Sequence, residues 1–235
     1  MAINKQSNIY TIIYIVVMVL VVGVALAATS MSLKSKQQDN ADADKMKQIL
    51  AAVHITPEAD KVISTFDSCI IEQNVYDSEG AKVDTKAFDV DVEAQSKLPD
   101  ASRELPVYTC RLADGALKYI IPVYGAGLWG PIWGYVAFDA DGSTVYGAYF
   151  AHQGETPGLG AEIEKPAFSG QFDGKQVIKN GNFAPIAVVK AGSKPLGDED
   201  YVDGVSGGTI TSKGVSEMLS NCLTPYRMFL TNLSK

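Results

Sequence analysis

The ten residues Asp203 to Ser212, DGVSGGTITS, hold three glycines and four hydroxyl side chains. Two chemistries use such a pattern. Gly204, Ser206 and Gly208 spell Gly-x-Ser-x-Gly, the turn that lifts a serine nucleophile at a strand-to-helix junction. The other reading is a glycine-loosened loop that presents a threonine hydroxyl, that of Thr209 or Thr211, to a group outside the chain. The nucleophile reading needs a histidine base after the serine, and none lies between Ser206 and Lys235. It also needs a parallel sheet beneath the turn, whereas the strands read below pair antiparallel. A phosphate-binding P-loop fails because no Gly-Lys-[Ser/Thr] follows at the required interval. What remains is a loop at a helix start, where exposed N–H groups and the helix dipole favour a phosphate beside Thr211. Glycines 204, 207 and 208 would permit positive φ and let a bulky ligand approach the backbone. The plainer alternative is a glycine turn whose hydroxyls only cap a helix.

The other chemistry-bearing residues point to no second centre. Cys69, Cys110 and Cys222 form no Cys-x-x-Cys pair and allow one bridge at most. The two histidines, His54 and His152, have no histidine or cysteine at helical ligand spacing, so no metal site is expected. Asp139-Ala-Asp-Gly-Ser143 resembles the start of a calcium loop but lacks the closing glutamate, and reads as a turn. Twenty Lys and Arg against twenty-seven Asp and Glu leave a net charge of −7, which repels nucleic acid phosphates.

The elements that must position the loop follow from hydrophobic patterning. Ile9 to Ala28 contains no charge, and a helix needs about 20 residues to cross a bilayer core of about 30 Å. We therefore expect an eight-residue tail (1–8), a transmembrane helix (9–29), a polar linker (30–44) and one domain (45–235), in which 46% apolar residues over the chain are ample for a core. Lys5 on one side and Lys34 and Lys36 on the other leave the orientation undecided by charge. Met46, Ile49, Leu50 and Val53 recur at the helical interval, and Thr56-Pro57 opens a second helix with a buried stripe of Val62, Ile63, Phe66 and Ile70. From residue 71 to 151 the pattern becomes strands separated by turns at Asp77–Gly80, Ala113–Gly115 and Asp139–Gly142, which predicts an antiparallel sheet. AEIEKPAF reads as a short helix and FAPIAVVKAG as a strand. Lys213 to Cys222 reads as a helix capped by Thr211 or Ser212, and a last helix begins at Thr224-Pro225. The fold class is α+β, a mostly antiparallel sheet flanked by helices.

Asp203-x-x-Ser206-Gly207-Gly208-Thr209-x-Thr211 resembles the flavinylation sequence Asp-x-x-Ser-Gly-Ala-Thr-x-Thr, whose last threonine carries FMN through a phosphoester bond. Gly127-Leu-Trp129 and Glu155-Thr-Pro-Gly-Leu-Gly160 resemble two further signatures of the membrane-anchored FMN-binding subunits of sodium-pumping NADH:quinone reductase and of the related Rnf complex. The stretch from PVYGAGLWG to ETPGLG, with the closing PYRMFL, is more similar to the C subunits of the reductase than to the G subunits of Rnf. The family usually has alanine where this chain has Gly208, which puts the rigidity of the loop in doubt but leaves the attachment hydroxyl.

The resemblance implies an electron-carrying subunit with FMN on Thr211, working between redox centres of neighbouring membrane subunits during quinone reduction coupled to sodium export. It implies no catalytic residue and no metal in this chain. The cofactor-binding residues carried over are Trp129, Thr156, Gly158, Leu159, Lys190, Ser206, Gly207 and Thr209. Asp203, Ser206, Gly207, Gly208, Thr209 and Thr211 form the flavinylation motif, to be read by a flavin transferase that uses FAD as donor. The implied place is the bacterial inner membrane, with the domain on the periplasmic side. Two alternatives are the Rnf counterpart, working with ferredoxin and NAD, and a membrane-anchored structural or binding protein with no redox role.

Overall fold

The computed structural model describes residues 8–233. All of the expected N-terminal tail except Asn8 lies outside the described residues. The chain divides into two units, with the boundary between Lys45 and Met46.

The first unit is helical. Helix α1 (Asn8–Ala51) runs without interruption through it and into the second unit, and its apolar stretch is long enough to cross a membrane. Residues 30–44, expected to form a linker, are part of this helix. The reason is local: the segment has neither glycine nor proline, and polarity alone does not break a helix. Gln38 donates to Asp42 at 2.8 Å, four residues on, as helical spacing allows.

The second unit is built on a six-stranded antiparallel sheet in the order β2-β1-β3-β4-β5-β6. Its strands are β1 (Ile70–Tyr76), β2 (Lys82–Val83), β3 (Leu105–Arg111), β4 (Leu117–Ala126), β5 (Pro131–Asp139) and β6 (Val145–His152). Glycines 80, 115 and 142 have positive φ at the three turns the sequence marks. A fourth turn, Gly127 to Gly130, closes the β4–β5 hairpin with an N–H···O bond of 2.8 Å between those two residues.

Both faces of the sheet are covered, which explains why strands such as LKYIIPVYGA read as nearly continuous apolar runs. Ile121, Val123 and Val136 face helix α5 (Thr209–Leu223), meeting Val215, Met218 and Leu219; neighbouring Ile120, Tyr135 and Ala137 point to the other face, against Ile49, Leu50 and Phe66. The short helices α2 (Val62–Cys69), α3 (Val92–Ser96), α4 (Pro166–Ser169) and α6 (Arg227–Leu233) and the minor strands β7 (Ile178–Lys179), β8 (Asn182–Phe183), β9 (Ala187–Val189) and β10 (Tyr201–Asp203) complete the unit. Only β9 and β10 pair in parallel among the described strands.

Three expectations need correction. The second helix begins at Val62, after a single turn at Ala59–Lys61, rather than at Pro57. Its buried residues are Val62 and Phe66, four apart on one face; Ile63 is turned outward, and Ile70 is buried as the first residue of β1. AEIEKPAF is a 3-10 turn followed by the four-residue α4, because Pro166 cannot continue a helix begun before it. Cys69, Cys110 and Cys222 are all free thiols, and burial, reinforced by the neighbouring Cys69, pushes the Cys110 thiol up to about 12.

Two aspartates hold turns of the second unit together, one between β5 and β6 and one just before β10. Asp141 accepts from the Ser143 and Thr144 N–H groups and from the Thr144 hydroxyl, so its carboxylate is taken up by the turn. Asp200 accepts from Gln176 N–H at 2.7 Å and pairs with Lys179 at 2.6 Å. Partial burial acts to raise both carboxyls, but these hydrogen bonds outweigh it and hold them below the usual 3.8. A depressed carboxyl contributes stability that is complete above the unfolded value and is lost as pH falls through the folded one. The melting temperature should therefore fall as pH drops below about 4. In Asp141→Asn/Asp200→Asn it should start lower at neutral pH and fall less steeply in acid, which thermal scans at stepped pH will read.

Candidate functional site

Three loops meet at one end of the sheet. The β4–β5 tip brings residues 127–130, the segment after β6 brings residues 153–160, and the chain between β10 and α5 brings residues 204–208. The first two share that end because β4, β5 and β6 are adjacent and antiparallel. The third is drawn there because α5 packs along β4, with Gly214 against the Ala126 carbonyl and Gly125 against Met218. Gly204 N–H donates to Val189 O at 2.7 Å, tying the loop to β9.

At the centre is Thr211. It lies in the first turn of α5, is 2% exposed, and donates its hydroxyl proton to Glu155 Oε2 at 2.6 Å. Glu155 is itself buried, and its other oxygen accepts the Trp129 N–H at 2.9 Å. Both carboxylate oxygens are thus fixed by groups from the other two loops. His152 Nδ1 accepts the Glu155 N–H at 3.1 Å, and its Nε2 lies 3.6 Å from Glu164. This network needs glycine at two places: a Cβ on Gly127 would strike Glu155 Oε1, and one on Gly160 would strike both Glu155 Oε2 and Thr211 Oγ1.

The other residues singled out from sequence fall into two groups. Trp129 is 68% exposed, which removes it from the core. Leu159 is exposed and reaches over Gly207, where an added Cβ would sit 2.5 Å from Leu159 Cδ2. Thr156 and Gly158 lie on the outer face of their loop; Thr156 O accepts from Leu159 and Ala161, and Gly158 N–H donates to Glu162. Lys190, Ser206, Gly207 and Thr209 line a separate pocket of about 320 Å³, with Ser212 and Lys213. Glu155 and Trp129 do not line it. Asp203 is exposed and accepts from Gly192 N–H at 3.3 Å.

The helix start differs from the sequence reading. Helix α5 begins at Thr209, four residues before Lys213, and its N-cap is Gly208 with no side-chain cap. Thr211 and Ser212 are inside the first turn rather than before it. Their hydroxyl groups have other partners: Thr211 donates to Glu155, and Ser212 Oγ accepts from Val205 N–H at 2.9 Å. Of the three loop glycines only Gly207 has positive φ, at 74°. A Cβ on Gly208 would lie 3.2 Å from Val205 side-chain carbons, so the family's alanine fits with a small shift.

Glu155 was given no role of its own in the sequence reading, and His152 was considered there only as a metal ligand and set aside. The sequence does not show what Glu155 meets, because its partners are 26 and 56 residues away. The available hint was an acid directly followed by a proline- and glycine-rich loop, a place where a buried carboxylate can meet backbone donors.

The model of the FMN-binding domain matches residues 127–224, a span that contains all three loops. The NqrC subunit of the Na(+)-translocating NADH-quinone reductase from Vibrio vulnificus is 37% identical over 188 residues, covering 73% of each chain. Its equivalent from Chlamydia muridarum is 44% identical over 126 residues, covering 48% of this chain and 40% of its own. Among solved structures, the same subunit from Parabacteroides distasonis superposes with a TM-score of 0.80 at 47% identity, covering 85% of this chain and 97% of that one. NqrC from Shewanella oneidensis gives 0.68 at 25% identity, covering 83% and 98%. With identity of this extent and a fold shared over 85% of the chain, the chain belongs to the NqrC family of Na(+)-translocating NADH-quinone reductase subunits.

Proposed function

We propose that the chain is the FMN-carrying subunit of a sodium-pumping NADH:quinone reductase, holding FMN by a phosphoester to Thr211 and carrying electrons between redox centres of neighbouring subunits. The observation that carries the reading is the position of Thr211: a hydroxyl in the first turn of a helix, inside the FMN-binding domain, at the junction of the three loops. Helix geometry leaves the N–H groups of Thr209, Ile210 and Thr211 without intrahelical acceptors, and they form a positive end suited to a phosphate. The names of the relatives favour the NqrC subunit over its Rnf counterpart.

When bound, FMN supplies the redox chemistry. The chain's residues would hold and tune it. Trp129 and Leu159 offer exposed apolar faces for the ring, Thr156 a hydrogen bond, and Lys190 a cation that favours negative charge on the reduced ring. Gly158, Ser206, Gly207 and Thr209 would let the ribityl and phosphate portion lie against the backbone. One feature fits poorly, the Glu155 carboxylate beside the oxygen to be esterified. An ionised carboxylate and a phosphodiester repel, so Glu155 must move or take up a proton once the ester forms.

A flavin transferase with FAD as donor completes the reading, because an unactivated hydroxyl is a poor nucleophile. We further place the apolar part of α1 in the bacterial inner membrane and residues 45–235 on its periplasmic side, where a covalent tether keeps a scarce cofactor from being lost. Co-expression with a transferase tests the core claim. The denatured band should fluoresce under ultraviolet light and gain the mass of FMN less water. A colourless, unshifted protein sinks the proposal and leaves the structural, non-redox alternative.

The exposed ring of Trp129 gives a second check. Trp129→Ala should change stability by no more than about 0.5 kcal/mol, as is usual for exposed positions, while altering the fluorescence and near-ultraviolet dichroism of the attached flavin. An unchanged flavin spectrum would remove Trp129 from the cofactor's surroundings.

A further inference from the structure

Thr211 and Glu155 are joined by a short hydrogen bond in which the threonine is the donor. A threonine hydroxyl does not ionise near neutral pH, and an acceptor carboxylate aimed at its proton is the arrangement that activates it as a nucleophile. The aim is fixed. Trp129 N–H holds Glu155 Oε1, His152 Nδ1 holds the Glu155 N–H, and Gly127 and Gly160 pack so closely on the carboxylate that side chains there would displace it. Structural capping of α5 does not call for this arrangement, since Gly208 is the N-cap.

From this geometry we infer that Glu155 is the proton acceptor for flavin attachment, so that this chain provides part of the catalytic apparatus for its own modification. The inference rests on the covalent-flavin reading above. Thr211 Oγ forms a bond to the flavin-side phosphorus of the dinucleotide donor. The P–O bond to the adenylate breaks, its electron pair leaves on AMP, and the threonine proton passes to Glu155. The resulting neutral carboxyl is also the form compatible with a phosphodiester, which removes the repulsion between the two. Thr211 is 2% exposed, so the hydroxyl must be uncovered before the donor reaches it.

The test uses the full-length chain in detergent, purified transferase and FAD, with the covalent label followed by mass and gel fluorescence. Glu155→Gln keeps the size of the side chain but removes the base. At saturating chain, kcat for labelling should fall by about 100-fold or more, the scale of general-base catalysis. KM for the chain and its melting temperature should stay close to those of the parent. In Glu155→Ala, added formate should restore labelling in a concentration-dependent way, an outcome that a merely structural role does not produce. Labelling of Glu155→Gln within about threefold of the parent rate would overturn the inference. So would a loss confined to KM. If Glu155→Gln fails to fold, Glu155→Ala decides: labelling without formate, or no restoration by it, also overturns the inference. Failure of the parent chain itself to take label would instead reject the covalent-flavin reading.

Discussion

Thr211→Ala should abolish covalent flavin altogether: no fluorescent band and no mass gain from a chain that is otherwise produced and folded. The hydroxyl proposed for attachment is absent, so on that reading no residual labelling at that position is chemically possible. Thr209→Ala should retain the label on Thr211, at a lower yield if the transferase reads Thr209 as part of its motif. The structure separates the two threonines sharply, since Thr209 is exposed in a pocket with Lys190 whereas Thr211 is buried against Glu155. Thr211→Ala also leaves the buried Glu155 Oε2 without its donor, which costs about 1–3 kcal/mol. Thr211→Ser is the control, because it keeps a hydroxyl and should keep both label and stability. Peptide mapping that finds flavin on Thr209 in Thr211→Ala would show the attachment to be misassigned.

Gly214→Ala should destabilise the second unit even though alanine is normally about 1 kcal/mol better than glycine in a helix. The sign is set by contact. A Cβ at Gly214 collides with the Ala126 carbonyl at the end of β4, a backbone atom that no rotamer change can move aside. Relieving the collision must lift α5 from the sheet, and overpacking of this kind costs about 1–3 kcal/mol. For a domain of this size the melting temperature should fall by about 2–4 °C per kcal/mol. The same lift separates Thr211 from Glu155, so the labelling rate should drop with the stability. A rise in melting temperature would mean that α5 does not pack here as described. Gly23→Ala, where nothing lies within 4 Å, is the matched control and should not destabilise the second unit.

The glycine loop was legible because it is local. Asp203 to Thr211 is a continuous run, and its glycines and hydroxyls announce a loop before a helix without reference to the rest of the chain. The antiparallel sheet was legible for the same reason: three turns carry their own glycine signals, and the intervening strands carry β-branched and aromatic residues. Boundaries were less so. The helix start at Thr209 was placed four residues late, because Thr211 and Ser212 have the side chains of N-caps while their hydroxyl groups are engaged by Glu155 and Val205. The continuity of α1 through residues 30–44 was missed because polar composition was taken as a break when no glycine or proline was there to make one.

What the sequence determined by itself is the set of short-range features: one apolar stretch of membrane-spanning length, the hairpins, and a glycine loop with its hydroxyl side chains ahead of a helix. What only the tertiary structure decided is the company Thr211 keeps. Glu155 stands 56 positions before it and Trp129 26 positions before Glu155, and nothing in either residue's neighbourhood along the chain says that they meet. They meet because α5 lies on β4 through two glycines that admit backbone-to-helix contact, which carries its first turn to the end of the sheet where the β4–β5 tip and the segment after β6 also arrive. Packing across the sheet converts three loops, separately unremarkable, into one buried hydroxyl–carboxylate pair.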